Sequence, residues 1–201
     1  IAPRHQTMFY TAYMLCLTGL LGIAATGDAF NLFVFLEISS LSSYALISMG
    51  KDRRALTAAY QYLVMGTIGA TFILIGVGLM YMMTGTLNMD DLGSRLQLTP
   101  ASGSRTVLVA FAFFSVGIFL KLALFPLHLW LPNAYAYAPS LVSAFIAATA
   151  TKVSIYVFLR FAFTIFGVDF AFETMHVDKV LLPLALIGIF VASPVAIFQN
   201  N

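Results

Sequence analysis

Four ionisable side chains sit where an apolar chain rarely carries them. Glu37, Lys121 and Lys152 lie inside membrane-length hydrophobic runs, and His128 lies just past the proline that interrupts one of them, Pro126. A charge near the bilayer centre costs on the order of 3 kcal/mol or more, so such residues usually face a protein interior or a wet cavity and mark an ion or proton path. A desolvated lysine can take and release a proton. A buried Glu–Lys pair is a natural switch. Burial disfavours both charges, each partner's charge favours the other, and moving one partner changes how tightly the other holds its proton. His128, with an ordinary imidazole, suits a relay between two lysines.

Each of these residues has a plainer alternative. Lys121 could snorkel to the membrane surface, but it lies about fifteen residues into its run and just before Pro126. Lys152 lies about eleven residues into its run, behind the small, hydroxyl-bearing stretch 147–151, with Ser154 and Tyr156 following. Ser143, Thr149, Thr151, Ser154 and Tyr156 could order water near it. Glu37 could be a structural carboxylate bonded to hydroxyls, and His128 a satisfied polar residue.

These side chains must be held by membrane-spanning elements. A span needs about 20 mostly apolar residues, and six stretches qualify: A (8–26), B (30–49, with Glu37), C (57–83), D (from 106 to about 126), E (141–166, with Lys152) and F (180–198). The runs are long and continuous rather than short and alternating, which excludes a β-barrel. The fold class expected is an all-α, polytopic membrane helix bundle. The stretch 85–104 reads as the one real loop, and 169–179 as a short solvated one carrying Asp169, Glu173, His176, Asp178 and Lys179. Residues 105–137 are too long for one straight span and too short for two. Pro126 lacks an N–H, and its ring would clash with the Leu122 carbonyl in a continued helix. Pro132 and Pro139 should interrupt the chain again. Segment D is therefore expected to break at mid-membrane, with Lys121 just before the break; such breaks are tolerated where protein or a wet cavity covers the unwound backbone.

The remaining residues take bland roles. Ser39, Ser40, Ser42 and Ser43 ease close helix packing, as do the glycines at 66–69 and 76–78. Trp130 packs or anchors at an interface, Arg105 and Arg160 anchor at the membrane edges, and Cys16 is a small buried apolar residue. Composition agrees: 61% of residues are hydrophobic and 9% charged, with a mean hydropathy of +0.94, against about 25% charged in an average soluble domain. A net charge of +2 without a basic tract excludes nucleic acid as a partner. No phosphate loop, dinucleotide fingerprint or paired metal ligands occur, so neither metal nor redox cofactor is expected. Lys51, Arg53 and Arg54 lie on the side of Arg4 and Ile1, which places residue 1 and loop 51–54 in the cytoplasm. The chain begins at Ile1 rather than Met, and is read as an internal portion of a longer membrane protein.

Three strings carry a family resemblance. The run from Lys121 through the Phe-Pro-Leu-His-Leu-Trp-Leu-Pro of 125–132 resembles the broken-helix signature of antiporter-like, proton-translocating membrane subunits. These are found in respiratory complex I, membrane-bound hydrogenases and multisubunit (Mrp-type) sodium/proton antiporters. Residues 27–37, ending at Glu37, resemble the helix with that family's key glutamate. Residues 151–156, with Lys152 and the later Arg160, resemble the helix with its central lysine. The resemblance covers nearly the whole chain. It implies a fourteen-helix bundle of two inverted five-helix repeats, with residues 8–166 as the first repeat and 180–198 as the first helix of the second.

By the same resemblance, Glu37 pairs with Lys121, Lys152 is the central lysine, and His128 is the histidine after the proline. Complex I subunits usually show Asp-Ala-His where this chain has Asn133-Ala134-Tyr135, which brings it closer to the D-type subunit of Mrp antiporters. The function implied is a plasma-membrane subunit conducting protons through Glu37, Lys121, His128 and Lys152 in a multisubunit cation/proton antiporter, with Na+ as the candidate exchanged ion. The alternative is an antiporter-like subunit of NADH:quinone oxidoreductase or a membrane-bound hydrogenase. Either way it has no redox centre of its own, and its partners are other membrane subunits and the lipid bilayer.

Overall fold

The computed structural model describes residues 6–98 and 104–198. Ile1 and Arg4, on which part of the expected orientation rests, lie outside them. In chain order the elements are α1 (Gln6–Ala25), α2 (Ala29–Ser48), α3 (Arg54–Thr84), α4 (Met89–Leu98), α5 (Arg105–Leu122), α6 (Trp130–Tyr137), α7 (Ser140–Leu159) and α8 (Val177–Phe198). α7 runs on into a π-helical turn, Arg160–Ile165, and a second such turn covers Phe170–Thr174. Among the described residues, six helices are long and apolar enough to cross a membrane: α1, α2, α3, α5, α7 with its π turn, and α8. The protein is a polytopic all-α membrane bundle.

The helix ends follow local chemistry. Asp28 caps α2 by accepting from the Asn31 N–H, and Ser104 caps α5 by accepting from Val107. Gly85, at φ 71°, ends α3 in the left-handed conformation that glycine adopts without steric penalty. At one end of the bundle the 26–28 and 86–88 connections meet in an antiparallel bridge, Ala29 N–H to Leu87 O at 2.8 Å and Met89 N–H to Gly27 O at 2.8 Å. Arg160 donates to the Thr26 carbonyl at 2.7 Å on this same side. At the other end the turn after α2 meets the close of α6, where Arg54 donates to the Tyr137 hydroxyl at 3.3 Å.

Close helix approach is made by glycine. A Cβ on Gly117 of α5 would lie 2.5 Å from the Gly69 carbonyl of α3, and one on Gly76 would lie 2.9 Å from the Ala110 carbonyl. Gly19 of α1 likewise faces the Ser39 backbone of α2, at 2.6 Å. The packing role read for segment C holds at Gly66, Gly69 and Gly76. It fails at Gly78, which faces open space. α8 stands apart: its apolar window is unburied, and Phe125 touches it at Gly188.

Three expectations need correction. The stretch 169–179 is not a loop, because a π-helical turn covers Phe170–Thr174 with Phe170 and Ala171 buried and α8 begins at Val177, although its charged residues are exposed as expected. The stretch 85–104 is not simply a loop, because ten of its residues form α4. The Asn88 side chain accepts from the N–H groups of Asp90 and Asp91, two acids open the helix, and Arg95 lies in its last turn. Met89, Leu92 and Leu96 are buried, a one-sided stripe hidden by the polar composition around it. Pro132 does not interrupt the chain; it sits in the first turn of α6, where a missing N–H removes no helical bond.

Candidate functional site

The break in segment D is present and placed as its sequence implies. α5 stops at Leu122, Ala123 turns left-handed at φ 54°, and α6 starts at Trp130. The Phe125–Pro126 peptide is cis. Because the helix has already ended, the Pro126 ring never meets the Leu122 carbonyl. The freed carbonyls of α5 are satisfied from within: Ala123 N–H and Leu124 N–H donate to Leu120 O and Phe119 O, and the Trp130 indole N–H donates to Leu120 O at 3.1 Å. Trp130 then stacks on Tyr62 of α3, centroids 4.1 Å apart and planes 1° from parallel, and Tyr62 meets Tyr44 of α2 edge-on at 4.7 Å. Trp130 does pack, as its sequence suggested, and it also ties the two halves of the broken helix together.

Lys121 is the penultimate residue of α5, and its side chain is 6% exposed. Its ammonium lies 3.3 Å from Glu37 Oε1 and donates to Ser40 Oγ at 2.8 Å. Glu37 is more open, at 22%. The carboxylate therefore occupies the accessible side of the pair and the ammonium the sealed side. Beyond Lys121, between α1, α2 and α7, lies a chamber of about 20 Å³ whose walls include Cys16, Ser40, Ser43, Thr149 and Ser154. That volume accommodates about one water molecule. Cys16 is buried and its Sγ lies 3.3 Å from Ser43 Oγ, consistent with a small interior residue.

The structure joins Glu37 and Lys121 and leaves the other two candidates outside that contact. Lys152 is exposed, and its ammonium donates to the Ala147 carbonyl of its own helix at 2.6 Å. His128 is half-buried against Phe125, ring centroids 5.4 Å apart, and its Nδ1 has no hydrogen-bond partner among the described residues. Of the hydroxyls read as water-ordering near Lys152, Thr149 and Ser154 instead line the Lys121 chamber. Ser143 bonds the Tyr135 carbonyl at 2.7 Å and Tyr156 approaches the Ala24 carbonyl at 3.4 Å. Among the described residues, no group of three or more His, Cys, Asp or Glu side chains gathers as metal ligands.

Sequence reasoning missed Ser40. Of the four serines after Glu37, Ser39, Ser42 and Ser43 do what packing serines do and donate to carbonyls of their own helix. Ser40 alone of the four meets the lysine. The signal was available: three residues after Glu37, it lies on the same helix face.

Residues 26–201 match the family described as the transmembrane region of NADH:quinone oxidoreductase and Mrp antiporters. The chain belongs to this family. Within it, the N-type subunit of the NADH-quinone oxidoreductase of Desulforudis audaxviator is 48% identical over 99% of this chain and 39% of its own length. The D-type subunit of the Na(+)/H(+) antiporter of Bacillus subtilis is 36% identical over 92% of this chain and 36% of its own. Among solved structures, an archaeal membrane-bound sulfane sulfur reductase superposes with a TM-score of 0.83 at 34% identity, covering 94% of this chain and 38% of that one. The Mrp complex of Dietzia sp. superposes at 0.78 with 32% identity, covering 89% and 33%. The chain thus spans less than two fifths of the length of these relatives. They include redox-linked complexes and cation/proton antiporters, so membership in the family accommodates both functional readings made from sequence.

Proposed function

We propose that the chain is part of an antiporter-like membrane subunit that conducts protons through buried charges, working in a multisubunit monovalent cation/proton antiporter. The observation that carries this reading is the Lys121–Glu37 contact of 3.3 Å, with the lysine sealed beside a helix break. Two charges kept in a low-dielectric interior stabilise a fold poorly compared with apolar residues of similar size. An ion pair that can be separated is useful as a switch. While Glu37 faces Lys121, the ammonium has its counter-charge. When a neighbouring charge draws Glu37 away, Lys121 holds its proton less tightly. The proton then leaves through water or by way of His128 towards Lys152.

In this reading the other membrane subunits of the complex supply the neighbouring charges and cover the exposed Lys152. The protein sits in the plasma membrane, with residue 1 and loop 51–54 on the cytoplasmic side, because Lys51, Arg53 and Arg54 gather there. Residues 8–166 form the first of two inverted repeats and 180–198 open the second. Protons are the transported species and Na+ the candidate counter-ion.

A second reading is favoured by the 48% identity to an N-type subunit of NADH-quinone oxidoreductase. There the same residues do the same work, driven by redox chemistry in partner subunits. The test common to both is pH-gradient formation by vesicles carrying the assembled complex. Lys121→Ala and Glu37→Ala are each expected to abolish it with the complex still assembled; undiminished transport in both rejects the proposal. Driving the vesicles with NADH or with a sodium gradient then separates the two readings.

A further inference from the structure

Ser40 is the residue to which the structure gives a role that the ion-pair reading leaves unassigned. Its neighbours Ser39, Ser42 and Ser43 donate their hydroxyl protons to Leu36, Ile38 and Ser39 carbonyls at 2.9, 2.7 and 2.8 Å. Their hydroxyl protons are committed to their own helix. Ser40 Oγ instead accepts from Lys121 at 2.8 Å, closer than the 3.3 Å between Lys121 and Glu37. Ser40 is itself buried, at 6% exposure. It also lines the chamber of about 20 Å³ that it shares with Lys121, Thr149 and Ser154, a chamber whose walls do not include Glu37. Lys121 therefore stands between two acceptors, a charged one on the open side and a neutral one on the sealed side.

We propose that Ser40 is a positioning residue for Lys121: its hydroxyl keeps the amine in place when Glu37 is drawn off, and turns proton release towards the chamber against α7. The inference rests on the proton-conducting reading of the Glu37–Lys121 pair. Without a second acceptor, a lysine that loses its counter-charge would swing towards whatever polar group it could reach, and the direction of release would be lost. With Ser40 present, the side chain stays at 2.8 Å from a group that both accepts and donates. In the release step one Lys121 N–H bond breaks and leaves a neutral amine. Ser40 Oγ takes that proton while its own O–H proton passes to a chamber water. The hydroxyl is regenerated, and the net movement is one proton from Lys121 into the chamber. Thr149 and Ser154 donate to Phe145 and Ala150 carbonyls at 2.8 and 3.0 Å, so their oxygens present lone pairs to that water.

The test uses Ser40→Ala, Ser40→Thr and Ser40→Cys in the assembled complex, with proton transport in vesicles normalised to the amount of complex and Lys121→Ala as reference. If Ser40 only fills space, alanine is the mild change and threonine, with its extra methyl, the harsh one. If the hydroxyl matters, the order reverses. The proposal expects Ser40→Ala to slow transport at least tenfold, Ser40→Thr to recover at least half of the wild-type rate, and the solvent deuterium isotope effect to rise in the alanine variant as proton release becomes limiting. Ser40→Cys, which keeps a weak donor and acceptor, should fall between the two and serves in place of alanine should that variant not assemble. A rate above half of wild type in Ser40→Ala, or alanine outperforming threonine, overturns the proposal. If Lys121→Ala also transports normally, the ion-pair reading fails; if Lys121→Ala is dead and Ser40→Ala is normal, the role of Ser40 alone fails.

Discussion

The two lysines that drew attention in the sequence meet opposite fates in the structure. Lys121, at the end of α5, is sealed at 6% exposure between Glu37 and Ser40. Lys152, midway along α7, is exposed and reaches back to the Ala147 carbonyl of its own helix. The difference lies in what surrounds each helix. α5 is pressed against α3 through Gly117 and Gly69, ends in a break stitched by Trp130, and turns Lys121 towards a carboxylate and a hydroxyl on α2. α7 turns Val153 and Ser154 inward to the chamber and leaves Lys152 on its outer face. A buried charge is defined by its partners, whereas an exposed charge on a membrane helix implies a neighbour that supplies them.

This contrast can be broken by substitution. The largest difference in stability should separate Lys121→Met from Lys152→Met. Removing Lys121 leaves Glu37 without its partner, a change that costs about 3–5 kcal/mol for buried pairs. The partial exposure of Glu37 should keep the loss towards the low end of that range. Removing Lys152 breaks a contact to its own helix and strands no buried carboxylate within the bundle, so the loss should be smaller, about 1 kcal/mol. Thermal unfolding of the detergent-purified complex reads both, and equal shifts would mean that Lys152 is as tightly partnered as Lys121. A smaller effect tests what holds α5 in place. Gly117→Ala drives a methyl into the Gly69 carbonyl at 2.5 Å, so it should cost about 1–3 kcal/mol and slow transport by displacing Lys121. Gly78→Ala, which meets nothing within 4 Å, should be neutral or stabilising by up to about 1 kcal/mol. If the two alanines behave alike, close packing does not fix the position of Lys121.

Much of this was legible in the sequence because the membrane allows few solutions. Six apolar runs and the break around Pro126 follow from what is tolerable in oil, as does the need of Glu37 for a cationic partner; that this partner is Lys121 rather than Lys152 came from the family resemblance. Three things were harder to see. α4 was hidden because only Met89, Leu92 and Leu96 mark its buried side, in a stretch rich in polar residues. The indole N–H of Trp130 was not foreseeable as a cap for Leu120, because the loop that brings it back has no regular geometry. Ser40 was passed over because it stands in a row of serines, three of which donate to carbonyls of their own helix. The helical offset from Glu37, rather than the composition of the row, was the informative quantity.

The smallest effect expected is outside the membrane, on α4. The hydrogen bond from Arg95 to Asp91, 2.9 Å long, holds the Asp91 carboxyl below the usual carboxylate range. A carboxyl depressed by folding contributes stability that is present above its unfolded pKa and is lost as pH falls through the lower folded value. Both side chains are well exposed, at 51% and 42%, so solvent screens the pair strongly. Wild type and Asp91→Asn should therefore melt within a degree or so of each other at neutral pH and converge fully in acid. A gap that widens as pH falls would contradict the assignment.

The central claim is that the buried pair exists to move protons rather than to hold the bundle together, and Glu37→Gln combined with Lys121→Met tests it most directly. Replacing both members removes the unpaired charge that each single substitution leaves behind. The account predicts that the double variant regains most of the stability lost by Lys121→Met alone while its vesicles form no pH gradient. A double variant that transports at the wild-type rate would contradict it.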